Sequence, residues 1–187
     1  MSRTVIAGIL SVTMLTLFAT AGFAAEKAPQ KVVDFANSEL IQIGTDPLIV
    51  SAVKAENEKG KTLEQIKATD EKWRATPGID DPMKAMMDSG CGKHLREIQK
   101  KHAFLSEIFV MDNQGANVAM TDKTSDYWQG DEAKFKESFK GGSGAVHISD
   151  VEFDDSAQGY LVQVSVPVKE GDKVIGAITF GVNLDKL

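Results

Sequence analysis

Apolar residues return every three or four positions through the first half of this chain and every second position through its last third. Val32, Phe35, Ala36, Leu40 and Ile43 make one stripe, which predicts an amphipathic helix from about Gln30 to Ile43. Gly44 loosens it, and Asp46-Pro47 reads as an N-cap followed by proline at the first helical position. The helix so started carries Leu48, Ile49, Ala52 and Val53 until Glu58-Lys59-Gly60 ends it. Thr62 with Gln65 fits a capping box, opening a third helix with Leu63, Ile66 and Trp73 on one face. Asp70 falls on that same stripe, so it is either bonded to backbone in the core or turned towards a cleft. Asp80-Asp81-Pro82 starts another short helix, and Gly90 and Gly92 interrupt the path to Leu95 and Ile98.

From Leu105 the period changes to that of strands. Ile108 to Met111 runs into the turn Asp112-Asn113-Gln114-Gly115, and Ala116 to Thr121 returns as a second strand. The polar segment Asp122 to Gly130 leads to a short helix with Phe135 and Phe139 four apart, and Gly141-Gly142-Ser143-Gly144 is a flexible break. Three more strands follow over 145–153, 159–168 and 173–183, joined by Asp154-Asp155-Ser156 and Glu170-Gly171-Asp172. Connections this short make antiparallel neighbours, so the last three strands form a meander. No linker or repeat is visible, which predicts one α+β domain over 26–187, helical over 30–103 and a sheet over 105–187. Val162, Val164, Val166 and Val168 share one strand face, while Gln163 and Ser165 share the other with Leu161 and Pro167. The sheet is therefore covered on both sides, and the less apolar face, which also carries Thr179, is where a polar ligand would sit.

The first 25 residues stand apart from this pattern. Arg3 supplies a positive start, Val5 to Phe18 is almost wholly apolar, and small residues gather over Ala19 to Ala25 before Glu26-Lys27. That is the plan of a secretory signal peptide cleaved after Ala24 or Ala25, which makes the protein periplasmic or secreted. The alternative is an uncleaved anchor, since Val5 to Ala25 is just long enough to span a bilayer. No later apolar run approaches the ~18 residues a span needs, so none is expected after cleavage. Composition narrows the function classes. The chain has 187 residues and a formal charge of −6, which becomes −7 once Arg3 leaves with the signal. An acidic balance argues against nucleic-acid binding, which needs a basic stripe to neutralise phosphates. One cysteine excludes an intramolecular disulfide, and three histidines provide no zinc framework, so neither metal nor cofactor is expected.

The second half carries motifs that resemble a known family. Ile108 to Val118, a hydrophobic strand with a "D-x-x-G-x-x-V" hairpin, resembles the extracytoplasmic Cache/PDC sensor domains. Thr121 to Glu132 is similar to their "T-x-x-x-x-D-Y-x-Q-G-D-E" loop, and Val166-Pro167-Val168 with Val174 to Ile178 is similar to their closing strands. The resemblance covers Leu105 to Leu187, and the helices before it more loosely. It implies a PAS-like fold: an antiparallel five-stranded sheet, a long N-terminal helix, further helices packed on the sheet, and a small-molecule pocket between sheet and loops. It also implies signalling or chemotaxis. Because the chain ends at Leu187, directly after the last strand, a separate membrane receptor or histidine kinase is the expected partner. The ligand class does not carry over, since Lys134-Phe135 stands where amino-acid-binding relatives show an arginine-and-tryptophan pattern.

Within that frame, Asp126, Tyr127 and Trp128 are candidate ligand contacts, two aromatics in a glycine-bounded polar loop. The competing account is that Tyr127 and Trp128 cap the sheet core. His147 and Gln163, on two later strands, are the candidate polar contacts, against a solvent-facing or core-bonded role for His147. Cys91-Gly92-Lys93-His94 lacks the second cysteine of haem attachment and the four ligands of zinc. Asp150, Glu152, Asp154 and Asp155 are either an oxygen site for a hard cation or a solvated strand end. No nucleophile–base pair appears at local spacing, although a triad assembled in space is not excluded by that, and the resemblance implies capture of a small metabolite without catalysis. A periplasmic hydrolase and a ligand-free accessory of a receptor are the alternatives, and a nucleophile within reach of His147 would favour the former.

Overall fold

The stripe that begins at Val32 becomes one helical run with a widened middle: α1 (Gln30–Phe35), a π-helical stretch (Ala36–Leu40) and a last turn, α2 (Ile41–Ile43). The computed structural model describes residues 26–154 and 158–187, so the export segment at 1–25 and Asp155-Ser156 of the next-to-last turn lie outside the described residues. Gly44 ends the run for a packing reason. Lys169 donates its backbone N–H to the Gly44 carbonyl at 2.9 Å, and a Cβ at Gly44 would meet the Pro167 carbonyl oxygen.

The predicted caps are in place. Asp46 accepts from the Leu48 and Ile49 N–H groups at 2.9 and 3.4 Å and starts α3 (Pro47–Asn57). The Thr62–Gln65 capping box starts α4 (Leu63–Ala75), and Asp80 starts α5 (Asp81–Asp88). Gly90 and Gly92 do not interrupt the chain there. They form the first turn of α6 (Gly90–Lys101), because the Ser89 hydroxyl accepts the Gly92 N–H at 2.9 Å and caps the helix across them.

β1 (Leu105–Met111) and β2 (Asn117–Met120) flank a turn closed by Asp112, whose carboxylate accepts the Gln114 and Ala116 N–H groups at 2.8 and 2.9 Å. Gly115 sits there at φ +86°, a conformation that a side chain would strain. After α7 (Ala133–Phe139) come β3 (His147–Ile148), β4 (Glu152–Asp154), β5 (Gly159–Glu170) and β6 (Lys173–Asn183). The sheet is antiparallel throughout, in the order β2-β1-β6-β5-β3, with β4 also on β5. The single strand expected over 145–153 is thus broken into β3 and β4 along one edge of β5, and six strands fill five places. The break has a cause: Val151 gives its N–H to the Glu26 carbonyl at 2.8 Å, and the Ser149 hydroxyl takes the Gln163 N–H at 2.9 Å.

Register assigns the two faces. Val110 opposes Ala119 and Ile178, Ile108 opposes Phe180, and Phe180 opposes Val164, which opposes Ile148. This face packs on Val32, Ala36, Leu40, Ile49, Val53 and Leu95 of the helical half. On the other face Phe109 opposes Met120 and Thr179, Thr179 opposes Ser165, and Ser165 opposes His147. Ile66, Trp73, Met83 and Phe135 cover one part of it, with Tyr127 from the loop after β2. The cover is incomplete over Glu107, Phe109 and Gln163, where a cavity lies.

Candidate functional site

The Thr121–Gly130 loop forms one wall of that cavity and is held in place by named bonds. It runs back along the hairpin, with Asn117 donating to the Tyr127 carbonyl at 2.9 Å and Gln129 to the Gly115 carbonyl at 2.8 Å. From α4, Asp70 reaches across and accepts the Tyr127 and Trp128 N–H groups at 2.9 and 3.1 Å, while its second oxygen meets Arg74 at 3.1 Å. Trp73 donates its indole N–H to the Thr124 carbonyl at 2.8 Å, and Lys123 reaches the Thr76 carbonyl at 2.7 Å. Asp70 satisfies both readings of its place on the stripe: it is buried and bonded to backbone, and it also lines an outer hollow of about 340 Å³ with Arg74 and Trp128.

The five sequence-named residues do not converge on one cavity. Tyr127 is 1% exposed and packs in the core, its hydroxyl receiving a hydrogen bond from Lys61 at 3.1 Å. Asp126 and Trp128 line the outer hollow, where the Lys67 ammonium stands 4.6 Å from the Trp128 ring centre. Gln163 lines the cavity on the sheet. His147 shares the face of Gln163, two residues along the register, and does not line that cavity. Asp126 contributes through its backbone, since its carbonyl collects the Thr124 hydroxyl at 2.7 Å, the Gln129 amide at 2.8 Å and the Asn117 amide at 3.1 Å.

The sheet-side cavity measures about 380 Å³ and is lined chiefly by Glu107, Phe109, Gln129, Lys134, Asp154 and Gln163. Lys134 comes from α7, the helix placed over this face by Phe135. Its ammonium bonds Glu132 at 2.9 Å and lies 5.6 Å from the Phe109 ring centre. Glu107 hydrogen-bonds Gln163. Burial pushes the Glu107 carboxyl above its ordinary pKa; the Lys134 charge pulls against that, and Asp154 and Asp122 reinforce it. Gln129 is 1% exposed, and its side-chain oxygen has no partner among the described residues although its amide nitrogen bonds Asp126. Glu107, Phe109, Gln129 and Lys134 are the residues that sequence reasoning missed. One signal pointed to them: a lone charge, Glu107, inside an apolar strand and in phase with Phe109.

Cys91 and His94 do not form a joint site. Cys91 is buried and desolvation pushes its thiol up to about 12, whereas His94 bonds the Asp46 carboxylate at 2.9 Å. Of the acidic run, Asp150 pairs with Lys27 at 2.7 Å and Asp154 joins the cavity wall. Among the described residues no group of three or more His, Cys, Asp and Glu is placed to hold a metal, and no helix is long and apolar enough to cross a membrane.

No protein-family model matches the chain, and no curated protein is similar to it at a significant level. Among solved structures it is similar to the sensor domain of the histidine kinase DctB of V. cholerae, at 12% identity and a TM-score of 0.45, over 84% of this chain and 55% of that one. It is also similar to the sensory domain of the Campylobacter jejuni chemoreceptor Tlp3, at 13% identity and a TM-score of 0.43, over 83% of this chain and 65% of that one. A third is the ligand-binding domain of the Pseudomonas aeruginosa PAO1 amino acid chemoreceptor PctC in complex with GABA, at 12% identity and a TM-score of 0.42, over 78% and 60%. The chain thus spans between 55% and 65% of the length of these domains.

Proposed function

We propose that this chain is an exported sensor-like domain, a binding module without catalysis, which captures a small polar metabolite in the cavity between sheet, loop and α7. The observation that carries the reading is Gln129: a buried side chain on the cavity wall whose oxygen lacks the partner that buried polar atoms almost always have. The cavity's volume lies at the small end of metabolite sites, and its lining combines one aromatic face with a few polar groups. Gln163 is then a direct contact, while Asp126 and Tyr127 build the wall through their backbone, and Trp128 and His147 lie beside it. The hydrolase alternative depended on a nucleophile near His147. Its register partner Ser165 is buried, with its hydroxyl bonded to Thr179 at 2.8 Å, which favours binding. Cleavage after Ala24 or Ala25 would release the domain, and the bound form would be read by a membrane receptor or histidine kinase.

A thermal-shift screen against metabolites tests the binding reading, because a ligand at ~100 times its dissociation constant adds roughly 2.7 kcal/mol. A hit whose affinity is unchanged in Gln163→Leu would place the site elsewhere. Intact-mass analysis of exported protein is expected to show a chain beginning at Ala25 or Glu26, and retention of Met1 would make the domain membrane-tethered.

A further inference from the structure

Acceptors and donors are unevenly available around the cavity. Both lysines on its wall are already engaged, Lys134 with Glu132 at 2.9 Å and Lys123 with the Thr76 carbonyl at 2.7 Å. Two of the acceptors are not so matched. Gln129 presents an unpartnered buried oxygen, and Glu107 makes no ion pair with any described residue, its company being the Gln163 amide and the longer-range pull of Lys134. The Phe109 ring beside them already takes a cation on its face. Past Glu107 the cleft adjoins a second hollow of about 480 Å³, which shares Glu107, Lys123 and Asp154 as wall and adds Asp122 and Lys186.

We infer that the ligand of this cleft is a small organic cation with N–H donors at more than one position and no carboxylate, that is, a linear diamine or polyamine. This rests on the reading of the cavity as the ligand site. One ammonium group would donate to Gln129 Oε1 and Glu107 beside the Phe109 face, and the carbon chain would carry a second one past Glu107 towards Asp154 and Asp122. A carboxylate entering beside Glu107 and Asp154 would be desolvated there, with the Lys123 and Lys134 ammonium groups committed elsewhere. The acidic balance of the whole chain favours arrival of such a cation over an anion.

Calorimetry on protein purified after expression of the full chain tests this with three probes of equal carbon length: 1,4-diaminobutane, 1-aminobutane and butanedioate. The diamine is expected to bind, the monoamine at least tenfold more weakly, and butanedioate not at all. Glu107→Gln should weaken the diamine at least tenfold while leaving the melting temperature equal or higher, because a neutral amide is easier to bury than a carboxylate. Diamine affinity should also fall as the pH drops through the raised pKa of Glu107. Equal binding of the diamine to Glu107→Gln would overturn the inference, as would binding of butanedioate. If butanedioate binds and Gln163→Leu abolishes it, the ligand class is wrong and the cavity remains the site. If none of the three binds, the inference falls, and the metabolite screen decides the cavity by itself.

Discussion

Asp70→Ala is the substitution that most directly tests how the loop over the cavity is held. The side chain is 6% exposed and takes two backbone donors, Tyr127 N–H at 2.9 Å and Trp128 N–H at 3.1 Å. The first is buried, so leaving it unsatisfied costs roughly 1–3 kcal/mol. The second is partly reached by water, which replaces some of the lost bond, so about 0.5–1 kcal/mol is assigned to it. Arg74 is more than half exposed, so its ion pair with Asp70 adds no more than about 1 kcal/mol. The total is about 1.5–5 kcal/mol, or, at about 2–4 °C per kcal/mol for a domain of this size, roughly 3–20 °C in melting temperature. Urea unfolding followed by tryptophan fluorescence measures it, since Trp73 bonds the loop and Trp128 belongs to it. The slope against urea should not change, because the surface exposed on unfolding is the same. Arg74→Ala is the control and should lose less than about 1 kcal/mol. A loss in Asp70→Ala no larger than in Arg74→Ala would refute the reasoning, because the two backbone donors would then have found water.

Three further predictions come from the core and the caps. Phe180 is fully buried against Ile108 and Val164, so Phe180→Ala should cost roughly 3–5 kcal/mol in denaturant melts, and a loss under about 1 kcal/mol would contradict the register. At Asp46, burial raises the pKa, but the bond to His94 and the N–H groups of Leu48 and Ile49 outweigh it and hold the carboxyl below its ordinary value. Its contribution is therefore present at neutral pH and lost as the pH falls through the depressed pKa; Asp46→Ala should cost about 1 kcal/mol at pH 7 and progressively less in acid. Cys91, buried and with its thiol pushed up to about 12, should resist alkylation at pH 8 until the chain is unfolded, and fast labelling of native protein would show that α6 opens.

Much of the local structure was settled by residues acting over a few positions. Asp46-Pro47, Thr62 with Gln65, and Asp80 start helices because each side chain supplies the acceptor that a helix N-terminus lacks, and that bond spans two or three residues wherever the helix later packs. Strand alternation likewise put Gln163, Ser165 and Thr179 on one face before any partner strand was known. Gly90 and Gly92 misled because the helix signal there is Ser89, and glycine alone does not distinguish a break from a first turn packed closely on the Met86 and Met87 carbonyls.

The site depended on contacts that no local rule contains. Placing β1 beside β6 brings Glu107 opposite Gly181 and next to Gln163, a juxtaposition across more than fifty residues of chain. Asp70 meets Tyr127 and Trp128 across a similar distance, turning two expected ligand contacts into a core residue and the rim of a separate hollow. An aromatic residue in a polar loop serves equally well as core or as pocket wall, because both bury the same ring; the choice falls to the elements that pack around it. Composition, charge and period belong to the sequence alone. Which acceptors are left unsatisfied in a shared cavity is decided when strands and helices distant along the chain are brought within hydrogen-bond reach.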